Sequence, residues 1–137
     1  MLVGLLSEST QGAADPNELL RIAAQIRAGN REEWVAAFAG MGERISQLAS
    51  LAADRGNLQT ASDSYCRPFT YFRAAELMLP PTNSRKADLY GRAIACFRTG
   101  ISGSRHPHEQ VSIPWEGHQL DGTLFKPPSR DQTVPPP

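Results

Sequence analysis

The amino-acid sequence predicts a mainly α fold in which four amphipathic helices are followed by a β-hairpin. Apolar residues recur at alternating steps of three and four along most of the chain, which is the spacing of one helix face. Near the C-terminal end they switch to a period of two, as in a half-exposed strand. We therefore expect a flexible N-terminus over residues 1–14, a helical domain over 15–104, a hairpin over 105–128 and a proline-rich tail over 129–137.

Capping residues mark where the first two helices begin. Asp15 can accept hydrogen bonds from the free N–H groups of a first turn, and Pro16 suits that turn because its missing N–H needs no partner there. Asn30 can cap the second helix, and Gly29 and Gly56 are natural stops for the first and second helices. The apolar stripe of the second helix consists of Trp34, Phe38, Met41, Ile45, Leu48 and Ala52.

The third helix is predicted over about residues 58–78, and Pro68 lies inside it. A proline removes one helical hydrogen bond and its ring clashes with the preceding turn. We therefore expect a kink or a break between Tyr65 and Arg67. The residues predicted to share one face of this helix are Leu58, Ala61, Tyr65, Phe69, Phe72 and Ala75.

The fourth helix is expected to begin at a cap formed by Asn83 or Ser84 and to run to about Arg98. Its apolar side consists of Leu89, Tyr90, Ala93, Ile94 and Phe97.

The residues after this helix favour a hairpin. Val111 and Ile113 alternate with polar residues, 115–118 has the composition of a turn, and 120–125 can return as the second strand. An isolated two-stranded hairpin is only marginally stable in water. The sequence therefore indicates the edge of a larger sheet.

Charge and hydropathy exclude several classes of partner. The chain carries 14 basic and 14 acidic residues, interspersed, so it has no field that would attract nucleic acid or an anionic membrane. The apolar start at residues 1–6 is short and has no basic segment before it, which disfavours a signal peptide. No run approaches the ~20 apolar residues of a membrane span. We expect a cytoplasmic protein that binds neither nucleic acid nor membrane.

The sequence offers no set of catalytic or metal-binding residues. A serine hydrolase needs its nucleophile on a G-x-S-x-G elbow, together with a histidine and an acid. The nearest approach, residues 100–104, has a different spacing and follows a helix, so we interpret it as a helix-terminating loop. His106 and His108 lie in a loop-like segment and His118 is distant from them, which is weak evidence for a metal site, and we interpret all three as solvated loop histidines. We predict no catalytic residue, no metal and no cofactor.

Several motifs resemble a known family. They are Trp34, the run Tyr71-Phe72-Arg73-Ala74-Ala75-Glu76, Pro80, Tyr90, Phe97, and above all the hairpin sequences 111–117 and 120–127. Together they resemble the helical lid and first hairpin of a group of α/β-hydrolases. This group includes the fermentation-respiration switch protein, dihydroxypseudooxynicotine hydrolase and the fungal pigment polyketide-shortening hydrolases. Pro68 is a departure, because the family usually has a small helix-forming residue at that position.

The resemblance implies the N-terminal lid segment of a serine α/β-hydrolase of the esterase or carbon–carbon bond hydrolase class, truncated before the catalytic domain. In the family the lid helices cover the active site, and the triad lies in the part that follows. We therefore expect this chain to be inactive alone and to pair with an α/β-hydrolase catalytic domain or to self-associate through an exposed apolar face. The alternative function is a stand-alone helical protein-interaction module.

Four residues are candidates for a substrate pocket in the full enzyme. They are Tyr71, Arg73 and Phe69 on the third helix and Trp34 on the second. The structural alternative is that the aromatic residues belong to the core and that the arginine pairs with Glu76 or solvent, because stripes at helical spacing are usually core.

Overall fold

A computed structural model describes residues 2–103 and 107–127. The chain divides into two compact units, Met1–Gly103 and Ser104–Pro137, and each is described here by itself. The proline-rich tail predicted over residues 129–137 and the side chain of His106 lie outside the described residues. The fold class is confirmed, since helices make up the first unit and a two-stranded antiparallel sheet the second.

The elements follow one another in a simple order. The helical unit contains α1 (Leu2–Ser7), a 3-10 turn (Glu8–Gln11), α2 (Pro16–Ala23), α3 (Arg31–Asp54), α4 (Leu58–Ser64), α5 (Cys66–Glu76) and α6 (Ser84–Ser102). The second unit contains β1 (His108–Trp115) and β2 (His118–Phe125). No helix in the described part of the chain is long and apolar enough to cross a membrane.

The helical structure of residues 2–11 was not predicted, because the sequence analysis assigned no element before Asp15. Leu2 and Leu5, three residues apart, pack against the core as partly buried side chains. A six-residue helix is too short to be stable by itself, so this tertiary contact accounts for α1.

The predicted N-terminal caps are confirmed, but the stop predicted at Gly29 is wrong, because α2 already ends at Ala23. The Asp15 carboxylate accepts hydrogen bonds from the N–H groups of Asn17 and Glu18, at 2.8 and 3.0 Å. The Asn30 side chain accepts one from the N–H of Glu33 at 3.1 Å. Of the two candidates for the last helix, Asn83 is the cap.

The break expected near Pro68 is also confirmed. The predicted third helix is divided at Tyr65 into α4 and α5. Division at this point places Pro68 in the first turn of α5, where the N–H that proline lacks would have no helical partner in any case. The proline therefore determines where the helix restarts.

The core of the helical unit lies around α5, which packs against α3 and α6. The buried face of α3 differs from the predicted stripe. Phe38 and Ile45 are buried as expected, but Leu48 is 53% exposed. The residues that α3 buries are Val35, Phe38, Gly42, Ile45 and Ala49. The buried face of α3 is rotated relative to the predicted stripe, because α5 approaches α3 on the side of Gly42.

At two glycines, one within α3 and one directly after α6, a neighbouring residue leaves little room for a side chain. A Cβ atom on Gly42 would lie 3.0 Å from ring carbons of Phe72, which is itself 2% exposed. A Cβ atom on Gly103 would lie 2.9 Å from the Cβ of Ser62. The Ser62 hydroxyl donates a hydrogen bond of 2.6 Å to the carbonyl of Gly100, which joins α4 to α6.

The second unit is a regular hairpin whose register pairs Trp115 with His118. Glu116 and Gly117 form the two-residue loop, and both have positive φ, at 44° and 79°. This is the type I′ geometry, whose twist matches that of the strands it joins. Residues 115–118 therefore form the turn that the sequence predicted.

Alanine substitutions at two glycines of α3 should have opposite effects on stability. Gly40 faces open space, so Gly40→Ala should raise the free energy of unfolding by about 0.5–1 kcal/mol through helix propensity. Gly42→Ala should lower it by about 1 kcal/mol or more, because the added Cβ would lie 3.0 Å from the ring of Phe72, which is itself buried. Urea denaturation of both variants measures the difference. Equal stabilisation by the two substitutions would contradict the close contact between α3 and α5.

Candidate functional site

The four residues proposed from the sequence lie on or against α5. Three of them, Phe69, Tyr71 and Arg73, belong to this helix, and Trp34 of α3 packs on it. α5 has 11 residues, of which seven are buried. The structure places the four side chains in different surroundings, which decide what each of them can contact.

Tyr71 is fully buried, with 0% exposure. Its hydroxyl donates a hydrogen bond of 2.7 Å to Oε2 of Glu18 and accepts one of 3.0 Å from the N–H of Asp15. Burial raises the pKa of the Tyr71 hydroxyl well above its ordinary value, and the hydrogen bond to the Glu18 carboxylate raises it further. Tyr71 is therefore a neutral core residue whose hydroxyl joins α5 to the start of α2.

Glu18 is shared between two partners. Its Oε1 lies 2.8 Å from Nη1 of Arg67, and its Oε2 accepts from Tyr71. Both charged side chains are partly buried, at 17% exposure for Glu18 and 29% for Arg67. A partly buried carboxylate needs such partners, because desolvation without them is costly.

Trp34 is part of the core on one side and reaches the surface on the other. Its Nε1–H donates a hydrogen bond of 3.0 Å to the carbonyl of Ala74, and its ring centroid lies 4.5 Å from that of Phe38. Its remaining edge lines a shallow pocket of about 260 Å³ together with Ile26 and Met78.

Phe69 and Arg73 line a groove between the N-terminal helical segment and α5. The cavity measures about 240 Å³. Its lining consists of Leu5, Glu8, Phe69, Thr70, Arg73, Ala74 and Leu77. The structure therefore brings two of the four proposed residues to one concave surface, and it places Tyr71 in the core.

A group of charged residues surrounds the C-terminal end of α5. Glu76 is only 4% exposed and forms ion pairs with Arg73 and with Lys86, whose Nζ lies 2.5 Å from its Oε1. The Lys86 ammonium also donates to the carbonyls of Glu76 and Leu79, both at 3.1 Å. The Arg73 guanidinium carbon lies 5.2 Å from the centroid of the Tyr90 ring. Lys86 thus satisfies carbonyls that the helix end leaves free.

The described residues do not bring together the groups that serine hydrolysis requires. Ser102, in the segment nearest to a nucleophile motif, is the last residue of α6, and its hydroxyl donates to the carbonyl of Thr99 at 2.8 Å. Within residues 2–103 and 107–127, no three His, Cys, Asp or Glu side chains are grouped so as to hold a metal ion. What the helical unit offers chemically is a concave apolar surface.

The hairpin has one polar face and one apolar face. On the polar face, Ser112 donates to Oδ1 of Asp121 at 2.8 Å, and Gln110 donates to Oγ1 of Thr123 at 3.1 Å. The register puts most of the apolar residues on the opposite face, namely Val111, Ile113, Trp115, Leu120 and Leu124, whereas Phe125 lies opposite His108 on the polar face. Four of them are between 49% and 58% exposed. Only one face has its polar groups paired across the strands.

Sequence reasoning did not identify the contributions of Leu5, Glu8 and Glu18. Glu18 could have been noted as an acid in the first turn of α2, but nothing in the sequence indicates that Tyr71 would reach it. The N-terminal wall of the groove could have been anticipated from the sequence through the spacing of Leu2 and Leu5, which are three residues apart as on one helix face.

Comparison with known proteins finds no matching family model but several curated relatives. The chain is 34% identical over 137 residues to Hydrolase ORFZ of Pyricularia oryzae, and the match covers 96% of this chain and 32% of that protein. It is 31% identical over 128 residues to Alpha/beta hydrolase xenA of Xenoacremonium sinensis, and this match covers 93% of this chain and 30% of that protein. It is 28% identical over 144 residues to Hydrolyase poxO of Penicillium oxalicum, and this match covers 97% of this chain and 33% of that protein. The chain therefore spans about a third of the length of the curated relatives it matches.

Removing the Tyr71 hydroxyl should destabilise the helical unit. Tyr71→Phe deprives the Asp15 N–H of its acceptor and Glu18 of one donor, so we expect a loss of about 1–3 kcal/mol in urea denaturation. Tyr90→Phe is the matched control, because Tyr90 is 49% exposed, and it should change stability by less than about 0.5 kcal/mol. Similar losses in the two variants would show that the hydroxyl does not join α2 to α5.

The difference in stability between the natural chain and Tyr71→Phe should shrink in alkaline solution. The pKa of Tyr71 is raised in the folded state above its ordinary value of 10.0, so above pH 10 the unfolded chain releases a proton that the folded chain keeps. The stabilisation is therefore complete below pH 10 and is lost as the pH rises. Urea denaturation at about pH 9 and about pH 11 measures it, and a constant difference would contradict the assignment.

Proposed function

We propose that this chain is the helical lid segment of a serine α/β-hydrolase, because it is homologous to alpha/beta hydrolases over almost its whole length. In this proposal the helical unit covers the active site, and the hairpin begins the catalytic sheet. The full protein would be an esterase or a carbon–carbon bond hydrolase that acts through an acyl-serine.

The observation that carries the proposal is the extent of the match. An alignment over 96% of the chain includes both the helical unit and the hairpin unit, so the relatives carry segments that match both. A bundle that served only to bind a partner would have no reason to keep a strand pair after its last helix.

The two faces of the hairpin support its role as part of a larger sheet. A sheet with one polar and one apolar face normally packs the apolar face against a core. Ile113 and Trp115 project from that face with 57% and 58% of their surface exposed. We propose that the catalytic domain covers this face, which would contribute about 1 kcal/mol for each large side chain, because each is already about half buried.

The chain by itself is proposed to be inactive. Its sequence contains no G-x-S-x-G elbow, and the lid as proposed supplies walls for the substrate and no reacting group. Phe69 and Arg73 are the proposed substrate-facing residues, because they line the groove beside α5.

One feature favours the alternative function, a helical protein-interaction module. The helical unit has a core of its own, and Leu48, Leu51 and Leu58 are each at least 51% exposed on α3 and α4. A partner helix could cover such residues. This alternative requires no catalytic domain, so the two functions predict different outcomes in a hydrolysis assay.

The test is a chimera in which this chain replaces the segment of Hydrolase ORFZ that it matches. We expect the chimera to hydrolyse p-nitrophenyl esters at a rate within about tenfold of unaltered ORFZ. The chain alone should show no turnover above background. An inactive chimera that is folded and monodisperse would contradict the lid proposal and favour the interaction module.

Two substitutions in the chimera test the hairpin. Ile113→Lys places a charge on the apolar face and should lower activity at least about tenfold, because the face could no longer be buried. Gln110→Lys places the same charge on the polar face of the same strand and should leave activity within about twofold. Equal losses would contradict burial of the apolar face.

A further inference from the structure

We infer that the groove between the N-terminal helical segment, Leu2–Gln11, and α5 binds an uncharged apolar group the size of a single ring or a medium-length alkyl chain. The identification of this group with the apolar part of the substrate rests on the proposed function. Binding itself does not, because every lining residue belongs to the helical unit.

One wall of the groove is fixed. It is a side of α5, in which Thr70 and Ala74 are buried, at 8% and 3% exposure. The Phe69 ring is held by the Phe97 ring of α6, with centroids 5.7 Å apart. Leu77 at the end of this wall is 57% exposed, which leaves apolar surface for a ligand to cover.

The two polar side chains of this wall, those of Arg73 and Thr70, each have a partner within the helical unit. The Arg73 guanidinium is paired with Glu76 and lies over the Tyr90 ring. The Thr70 hydroxyl donates to the carbonyl of Cys66 at 3.2 Å. The Arg73 charge is thus already paired, and the rest of this wall is mainly apolar, so an ionised group placed against it would lose hydration with little compensation.

The other wall is held more weakly. Neither α1 nor the 3-10 turn contains a buried residue, and α1 contacts the core through Leu2 and Leu5. Gly12, with φ of 74°, ends the 3-10 turn and connects this segment to α2. Segments with so little buried surface open at low free-energy cost, so this wall can move to admit a ligand.

The volume and the charge of the groove limit the ligand. A dry apolar cavity of ~150 Å³ accepts benzene, and drug-sized ligands occupy ~300–1,000 Å³. At about 240 Å³ the groove suits one ring or a medium-length chain. The charged residues of the lining are Glu8, which is exposed, and Arg73, which is paired with Glu76, so a carboxylate ligand would approach one acid and one cation that already has a partner.

The test is titration of the complete, isotopically labelled chain with 1-octanol and with octanoate, followed by amide chemical shifts and hydrogen exchange. We expect saturable 1-octanol binding with shifts at residues 5–8 and 69–77, and slower amide exchange in the N-terminal segment. Octanoate should bind at least about fivefold more weakly. Equal or tighter octanoate binding, or non-saturable shifts spread over the helices, would overturn the inference.

A matched pair of substitutions locates the site. Leu77→Glu puts a charge in the groove at an exposed position and should weaken 1-octanol binding about tenfold or more. Leu48→Glu makes the same change on α3, at a leucine of similar exposure outside the groove, and should alter binding less than about twofold. Equal effects of the two substitutions would overturn the inference.

The outcomes separate this inference from the lid proposal. If the chimera is active but the isolated chain binds no 1-octanol, the inference that the groove binds an apolar ligand is refuted and the lid proposal is not. If 1-octanol binding is saturable and sensitive to Leu77→Glu but the chimera is inactive, the lid proposal is refuted and the inference about the groove is not.

Discussion

The helical unit depends on the burial of α5 between α3 and α6. Seven of the 11 residues in this helix are buried, among them Tyr71 and Glu76, which carry polar groups that must be hydrogen-bonded or paired. Each neighbouring element supplies a partner. The start of α2 binds the Tyr71 hydroxyl, Trp34 of α3 binds the carbonyl of Ala74, and Lys86 of α6 binds Glu76. These contacts fix the directions in which the helices cross α5.

The same contacts determine which residues remain available to a ligand. Tyr71 and Glu18 use their polar groups to join α2 to α5, and Arg73 is engaged with Glu76 and Tyr90. The surface of α5 that lines the groove is mainly apolar, and it faces the most weakly held part of the unit. The proposed lid function would use this combination, because fixed helices would give a pocket its shape while a weakly held segment could move.

The hairpin poses a different physical problem. Its polar side chains are satisfied across the strands, whereas its opposite face leaves large apolar side chains such as Trp115 exposed in the described structure. The curated relatives are about three times as long as the matched segment, so they contain chain that could cover such a face. The proposed hydrolase sheet accounts for the uncovered face and for the extent of the match together.

The sequence determined the features that depend on neighbours along the chain. Asp15 and Asn30 cap their helices, Pro68 sets the boundary between α4 and α5, and the hairpin turns at Gly117. Only the tertiary structure decided that Leu48 is exposed, that residues 2–11 are helical, and that Tyr71 meets an acid 53 residues earlier in the chain. Caps and turns are satisfied by hydrogen bonds within a few residues, whereas the buried side of a helix and the partner of a polar group are set by the angle at which other helices approach.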